Sequence, residues 1–408
     1  MNAAATTPTA RREVEVIALV GFGHGVSHFF HLMIPPLFPW LMRDFGLSFT
    51  EAGALTAVFF AVSGIGQAAA GFIVDHVGAR RVLLFGMLLF AAAAIVLGLA
   101  PNYATLMAAA ALAGFGNSVF HPADFTLLNR NITGARLGHA FSVHGLGGNL
   151  GWALGPVFMT GVALAWDWRT AAFAAAAVAL FAFILIYLRR DTMSEPRAHT
   201  HTPAADASGS IFAFLGSGAV WMCFVFFFLV TMAFGALQNY APSLLQQMYG
   251  MSLPAGASSL TVFLLGGATG MAVGGFLVAR NAALDRLIAV VLTAAALCAL
   301  AIASAAVPVW SVTTLLGAMG FCTGIAGPSR DMLVRRAATA RFGSRSFGRV
   351  YGFVYSGLDT GLAVAPFVFG PLMDAGRFAL VFGLVALLQG AAVLAALHVG
   401  RQSYKVRA

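Results

Sequence analysis

Three histidines fall in an otherwise apolar stretch, GHGVSHFFHLMIPP (23–36): His24, His28 and His31, spaced i, i+4 and i+7. At about 100° per residue on a helix they share an arc of roughly 60°. Imidazoles so placed suit a metal site, a proton path or a polar substrate contact, and equally a packed polar patch. The other groups able to do chemistry are scattered. His121 and Asp124 flank Pro122 in VFHPAD (119–124), and His144 precedes GLGGNLGWALGP (145–156), which carries Asn149. Gln238 and Asn239 are adjacent, Arg330 lies in GPSRDM (327–332), and Asp359 sits between Gly357 and Gly361.

These groups are set in a chain of 408 residues that is 60% hydrophobic, only 9% charged and has a mean hydropathy of +0.87. Soluble domains carry about 25% charged residues, so the chain is read as a polytopic membrane protein. Its apolar runs are continuous rather than alternating, which favours a helical bundle over a barrel. Twelve spans are expected: 14–42, 48–74, 80–99, 104–129, 137–165 and 169–188, then 214–238, 255–279, 284–304, 309–334, 347–373 and 376–400. The first is read as an uncleaved span, since no small-residue cleavage site follows it. The stretch RRDTMSEPRAHTHTPAADASGS (189–210) reads as a solvated linker, within a boundary region of 189–213. The expected organisation is a cytoplasmic tail 1–13, a six-helix bundle 14–188, the linker, a second six-helix bundle 214–400 and a cytoplasmic tail 401–408.

The net charge of +9 is distributed between spans, which excludes a nucleic-acid surface. With the amino terminus inside, twenty of the 23 Lys and Arg residues fall on the cytoplasmic side, leaving Arg43, Arg169 and Arg377 opposite. Both termini are therefore expected in the cytoplasm. The three cysteines, Cys223, Cys298 and Cys322, show neither metal-ligand spacing nor disulfide pairing. GFGHG lacks dinucleotide-loop spacing, HGVSH lacks the Glu of a metalloprotease helix, and no phosphate-cradling Gly-Lys-Ser/Thr loop occurs. No enzyme, no cofactor and no resident metal are expected.

The two halves repeat one another. FGLSFTEAGALTAVFF (45–60) is similar to YGMSLPAGASSLTVFLL (249–265), GFGNSVFHPAD (114–124) to GFCTGIAGPSR (320–330), and GLGGNLGWALGP (145–156) to YSGLDTGLAVAP (355–366). The last pair aligns Gly151 with Gly361, Pro156 with Pro366 and Asn149 with Asp359. Parallel six-span repeats describe a carrier whose substrate lies between halves at the bilayer midplane.

The loop GFIVDHVGARR (71–81) carries Gly71, Asp75, Gly78, Arg80 and Arg81 at the positions of a loop motif of the major facilitator superfamily, which the chain resembles. GNLGWALGP (148–156) resembles the Gly-x-x-x-Gly-Pro motif of the fifth span of that superfamily's proton-driven exporters. SHFFHLMIPPLFPWLMRDFGLSFTEAG (27–53) and VFHPAD resemble its fosmidomycin-resistance-like branch. Leu32 stands where that branch tends to have an acid, and Asp124 lies one position beyond the acid that usually follows His-Pro. The resemblance implies twelve helices in two pseudo-symmetric bundles that rock about a substrate.

On this reading His24, His28, His31, His121, Asp124, His144, Asn149, Gln238, Asn239, Arg330 and Asp359 line a substrate and proton pathway. Bland alternatives stand beside each: Asp124 pairs with Arg130, Arg330 is simply a positive-inside residue, Asp359 orders helix packing, and Gln238 and Asn239 bond between helices. Asp75, Arg80 and Arg81 act as a gating latch or as a topology-setting turn. Gly147, Gly151, Gly155 and Pro156, with Gly361 and Pro366, allow close helix packing. The expected activity is proton-coupled secondary transport of a small polar, anionic or drug-like solute across a bacterial inner membrane by a monomer, with proton symport of organic anions as the alternative. A sensor or membrane enzyme on the same scaffold is the remote one.

Overall fold

The computed structural model describes residues 10–193, 216, 218–280, 283–342 and 347–405 and is helical throughout them, with no strand. The tail 1–9, most of the linker including His199 and His201, and 406–408 lie outside the described residues. Eleven helical stretches are long and apolar enough to cross a bilayer. A further one, α13 (Phe347–Asp374), is equally long, its apolar character diluted by Asp359, its glycines, Pro366 and Pro371.

The first span is a broken helix. α1 (Ala10–His31) stops where Pro35 and Pro36 approach, because a proline disfavours helical backbone in the residue before it and has no N–H to continue the ladder. A single 3-10 turn (Pro35–Leu37) leads into α2 (Phe38–Phe45), which Gly46 ends in the left-handed conformation. α3 (Phe49–Val77) begins with a reciprocal capping box. The Ser48 N–H donates to Glu51 Oε2 at 2.8 Å, and the Glu51 N–H donates to Ser48 Oγ at 3.1 Å. It ends at Gly78, whose φ of 99° only glycine adopts freely, before α4 (Ala79–Gly98).

The fourth span is broken as well, into α5 (Tyr103–Asn117) and α6 (Phe120–Asn131). Pro122 has no N–H to donate to the Ser118 carbonyl four residues earlier, so the ladder opens there; the Ser118 hydroxyl donates to the Phe115 carbonyl at the end of α5. α7 (Gly134–Ala165) and α8 (Trp168–Leu188) complete the first set.

The second set comprises α9 (Gly218–Tyr249), α10 (Leu253–Arg280), α11 (Leu284–Ala303), α12 (Val309–Phe342), α13 and α14 (Phe378–Lys405). α9 runs eleven residues past the expected end at 238. The polar pair Gln238–Asn239 interrupts the hydropathy there, but both side chains are buried and the helix continues through Pro242 to Gly250. α12 and α14 likewise outlast their apolar stretches.

Two compact units result. One gathers the described residues up to Ile34 and those from Val62 to the linker; the other gathers Pro35–Ala61 with the described residues after Pro203. The start of α3 thus belongs with the second set, and Asp374 at the end of α13 shows why. Its carboxylate accepts the Phe49 and Thr50 N–H groups at 2.6 and 3.0 Å and the Thr50 hydroxyl at 2.5 Å. Those N–H groups have no partner within their own helix. Tyr240 on α9 donates to the Phe49 carbonyl at 3.2 Å, on the same side.

Candidate functional site

Within the first unit, α1, α6 and α7 bring together residues from His24 to His144. α1 and α7 meet backbone to backbone. A Cβ on Gly151 would run into the Gly25 carbonyl and one on Gly147 into the Gly21 carbonyl, while one on Gly155 would stand 2.8 Å from Leu32 Cβ. Small residues in register permit this approach, as in other membrane helix pairs. Gly148 instead faces the imidazoles. A Cβ there would stand 2.8 Å from both Nδ1 and Cε1 of His28 and 3.0 Å from Cδ2 of His24. The missing side chain is the space those rings occupy. The second set repeats the backbone contact, with Gly361 of α13 against the Phe228 carbonyl of α9 and Gly357 against that of Phe224.

The close approach stacks the imidazoles. His24 and His144 lie ring over ring, 3.5 Å between centroids and 21° apart, and His28 and His31 stack at 4.7 Å. His24 and His28 are 4.3 Å apart, and His121 stands 5.1 Å from His24. Asp124, with no solvent exposure, reaches the stack from α6: its Oδ2 is hydrogen-bonded to His144 Nε2 at 3.1 Å and lies 3.2 Å from His24 Nδ1. The second approach is close but not aligned as a hydrogen bond, so His24 Nδ1, His28 Nδ1 and Asp124 Oδ1 have no hydrogen-bond partner among the described residues. The Asp124–Arg130 alternative is not formed, for Arg130 is exposed while Asp124 is wholly buried.

Around the stack runs a polar network that the sequence reading missed. The Trp152 indole N–H donates to His31 Nδ1 at 3.1 Å, and Asn117 Oδ1 lies 3.0 Å from His31 Nε2. An indole nitrogen only donates, so Nδ1 accepts and Nε2 carries the proton it gives to Asn117. Asn117 Oδ1 also accepts from Ser27 at 2.7 Å, and its amide donates to Ser63 at 2.8 Å. Gln67 Oε1 lies 3.1 Å from His121 Nδ1. Trp152 also lies 4.2 Å from the His28 ring. Ser27 was legible, since it precedes His31 by one helical turn; Asn117, Ser63 and Gln67 carried no such signal.

The remaining candidates lie elsewhere. Asn149 is half-buried and its amide donates to the Gly145 carbonyl of its own helix. Gln238 and Asn239 are buried in the second unit. Asn239 bonds the Gly235 carbonyl at 2.7 Å, whereas neither amide atom of Gln238 has a partner among the described residues. Asp359 is half-buried on α13, and no described residue donates a hydrogen bond to it. The side chain of Arg330 lies outside the described residues. In the α3–α4 turn Asp75 and Arg81 are exposed, and Arg80 donates to the Arg190 and Met193 carbonyls at 2.8 and 3.4 Å. Gly78 there is required by its φ, whereas a Cβ on Gly71 would meet nothing within 4 Å. Pro366 contributes a carbonyl that accepts from Tyr240 at 3.5 Å. A cavity of about 370 Å³ bordered by Gly25, Phe29, Leu146, Leu150 and Gly151 is apolar and does not include the imidazoles.

Fold and site together define a multi-pass helical membrane protein that buries a polar stack inside its first helix set, an arrangement of carriers rather than of enzymes. The chain belongs to the Major Facilitator Superfamily, whose family model matches residues 20–341. Among its relatives, the fosmidomycin resistance protein of Escherichia coli is 27% identical over 274 residues, 67% of either chain. A probable nitrate/nitrite transporter of Mycobacterium tuberculosis is 28% identical over 369 residues, 88% of this chain and 89% of that one. A probable 4-methylmuconolactone transporter of Cupriavidus pinatubonensis is 28% identical over 249 residues, 60% of this chain and 57% of that one. In fold, the chain superimposes on the inward-facing, unoccupied structure of a bacterial homologue of the human lysosomal transporter Spinster. The TM-score is 0.75 at 13% identity, covering 98% of this chain and 97% of that one.

Proposed function

We propose that the chain is a secondary active carrier that moves a small polar solute, an organic anion or a drug, across the bacterial inner membrane by proton-coupled alternating access. The observation that carries this is the stack of five imidazoles, one carboxylate and their amide, hydroxyl and indole partners, buried among helices long and apolar enough to cross a bilayer. Polar groups there are costly and concentrate where solutes pass. The relatives' names point the same way, to fosmidomycin resistance, nitrate or nitrite, and 4-methylmuconolactone.

On this reading Asp359, mid-helix in the second unit and without a described donor, accepts the coupling proton. The basic turn at Asp75, Arg80 and Arg81 latches one conformation on the cytoplasmic side, where both termini lie, and the working unit is a monomer of two six-span halves, 14–188 and 214–400. The test is transport by purified protein in vesicles with an imposed pH gradient. Collapse of the gradient abolishes transport, and Asp359→Asn lowers gradient-driven transport at least tenfold while leaving counterflow exchange intact. Transport indifferent to the gradient removes the coupling. The resistance name of one relative supports export, and overexpression separates the directions: export protects cells from a toxic anion, import sensitises them.

A further inference from the structure

Five ligand-bearing side chains converge in the first unit. His24, Asp124 and His144 form one set and His24, His28 and His121 another, and within each set one ligand atom per residue lies within 4.8 Å of the others. We propose that this cluster is a binding site for a divalent first-row transition ion such as Zn²⁺, Ni²⁺ or Co²⁺, held by His24, His144 and Asp124, with His28 and His121 completing the shell.

The geometry supports an ion in three ways. First, Asp124 Oδ2 lies 3.2 Å from His24 Nδ1 and 3.1 Å from His144 Nε2. Ligand atoms around a tetrahedral ion with bonds of about 2.0–2.1 Å are separated by roughly 3.3 Å, so the donors stand at nearly the spacing an ion demands. Second, hydrogen bonding leaves further ligand atoms over in the same cluster: His24 Nδ1, His28 Nδ1 and Asp124 Oδ1 are buried without partners among the described residues. Buried polar atoms are otherwise satisfied in folded proteins. Third, an outer partner orients a ring. Gln67 Oε1 accepts from His121 Nδ1, which leaves Nε2 with its lone pair, as carbonyl partners do for metal-bound histidines.

Imidazole nitrogens with one carboxylate suit Zn²⁺, Ni²⁺, Co²⁺ or Fe²⁺, and the absence of cysteine from the cluster argues against Cu⁺. Stacking of His24 on His144 means that the two rings must tilt apart as the ion enters.

The test uses the full-length protein, stripped of metal in detergent. Co²⁺ is added with its visible ligand-field absorption as the readout, and Zn²⁺ is titrated calorimetrically. One ion per chain is expected, with a Co²⁺ spectrum of four- or five-coordinate nitrogen and oxygen ligation. Asp124→Asn, nearly isosteric, should weaken Zn²⁺ binding at least tenfold, and His28→Gln should alter the spectrum. Replacing the exposed His76, or His199 with His201 in the linker, should change neither. Binding that survives Asp124→Asn and disappears with the linker histidines overturns the proposal, as does absence of any Co²⁺ spectrum. Should Asp124→Asn fail to fold, His121→Asn carries the same expectation of weakened binding. An unchanged Zn²⁺ affinity in a folded His121→Asn protein that also keeps the native Co²⁺ spectrum counts against the site.

Discussion

Replacing Gly151 by Ala tests whether the α1–α7 contact sets the position of the histidine stack. The new Cβ would meet the Gly25 carbonyl oxygen, its carbon at 2.8 Å and the Phe29 nitrogen at 3.0 Å, where ordinary contacts begin at 3.4 Å. All three are backbone atoms of α1, so no side chain can yield and the helices must separate. Forced overpacking of this kind costs about 1–3 kcal/mol. Alanine recovers about 1 kcal/mol of helix propensity over glycine, so the variant alone mixes two effects of opposite sign. Gly145→Ala on the same helix separates them, because a Cβ there meets nothing within 4 Å. It should gain the propensity without the clash, and the gap between the two variants, about 1–3 kcal/mol, isolates the steric cost. Thermal unfolding in one detergent at one scan rate is the assay, since apparent midpoints of such proteins depend on scan rate. Gly145→Ala should melt at or above the parent and Gly151→Ala below both. Gly361→Ala, facing the Phe228 carbonyl at 2.6 Å and the Met232 nitrogen at 3.0 Å, should fall with Gly151→Ala. If Gly151→Ala melts as high as Gly145→Ala, the close approach is not what holds α1 to α7.

Asp374→Ala removes the acceptor for two backbone N–H groups and one hydroxyl at the start of α3. It should cost about 1 kcal/mol, as loss of an N-terminal cap does, with a lowered melting midpoint that high salt narrows and Asp374→Asn partly restores. Trp152→Phe keeps a ring near His28 and removes the indole donor to His31 Nδ1, so a loss of about 0.5–1.5 kcal/mol is expected in the same melting assay. Equal midpoints for Trp152→Phe and the parent would leave Trp152 a packing role alone. Asp167 caps α8, and the Thr170 N–H it accepts at 2.6 Å holds its carboxyl below the ordinary 3.8. A lowered folded-state value means that the cap contributes above the unfolded value and is lost as pH falls through the folded one. Asp167→Ala should therefore differ from the parent in melting at pH 7, and the difference should shrink as the pH is taken progressively below 3.8.

Span positions were legible because hydropathy reports them directly: 80–99, 169–188 and 284–304 differ from α4, α8 and α11 by a residue or so. The boundary at 238 missed α9 by eleven residues because Gln238 and Asn239 look like surface. Their burial depends on neighbours that a local window does not see. The histidine arc was legible as an arc on α1, but its chemistry was not. No acid lies on that helix face, and Asp124 arrives from a helix about a hundred residues away, turned inward by the break that Pro122 forces. Gly148 stands beside the packing glycine Gly147 and drew no reading of its own, whereas its missing side chain makes room for His28. In the loop motif only Gly78 owes its identity to backbone conformation.

The two repeats share their packing and divide their chemistry. Gly151 against α1 and Gly361 against α9 are the same device at aligned positions, each bringing the fifth helix of its set onto the first. The aligned pair Asn149 and Asp359 departs from that symmetry. Asn149 donates its amide to the Gly145 carbonyl of its own helix, while Asp359 keeps a carboxylate that no described residue bonds. The imidazoles and Asp124 occupy only the first unit, and the corresponding α9 offers Gln238 with an amide unpartnered among the described residues. A duplicated scaffold repeats the glycine contacts in both copies, whereas a ligand needs each chemical group once. The contact glycines are therefore where substitution should damage either half alike. Exchanging Asn149 and Asp359 swaps two side chains of nearly equal volume at half-buried positions, so stability should stay within about 1.5 kcal/mol of the parent. The exchange moves the carboxylate out of the second unit. Gradient-driven transport that survives it would show that the coupling group need not lie on α13, and its loss with folding intact would place the asymmetry at the centre of the mechanism.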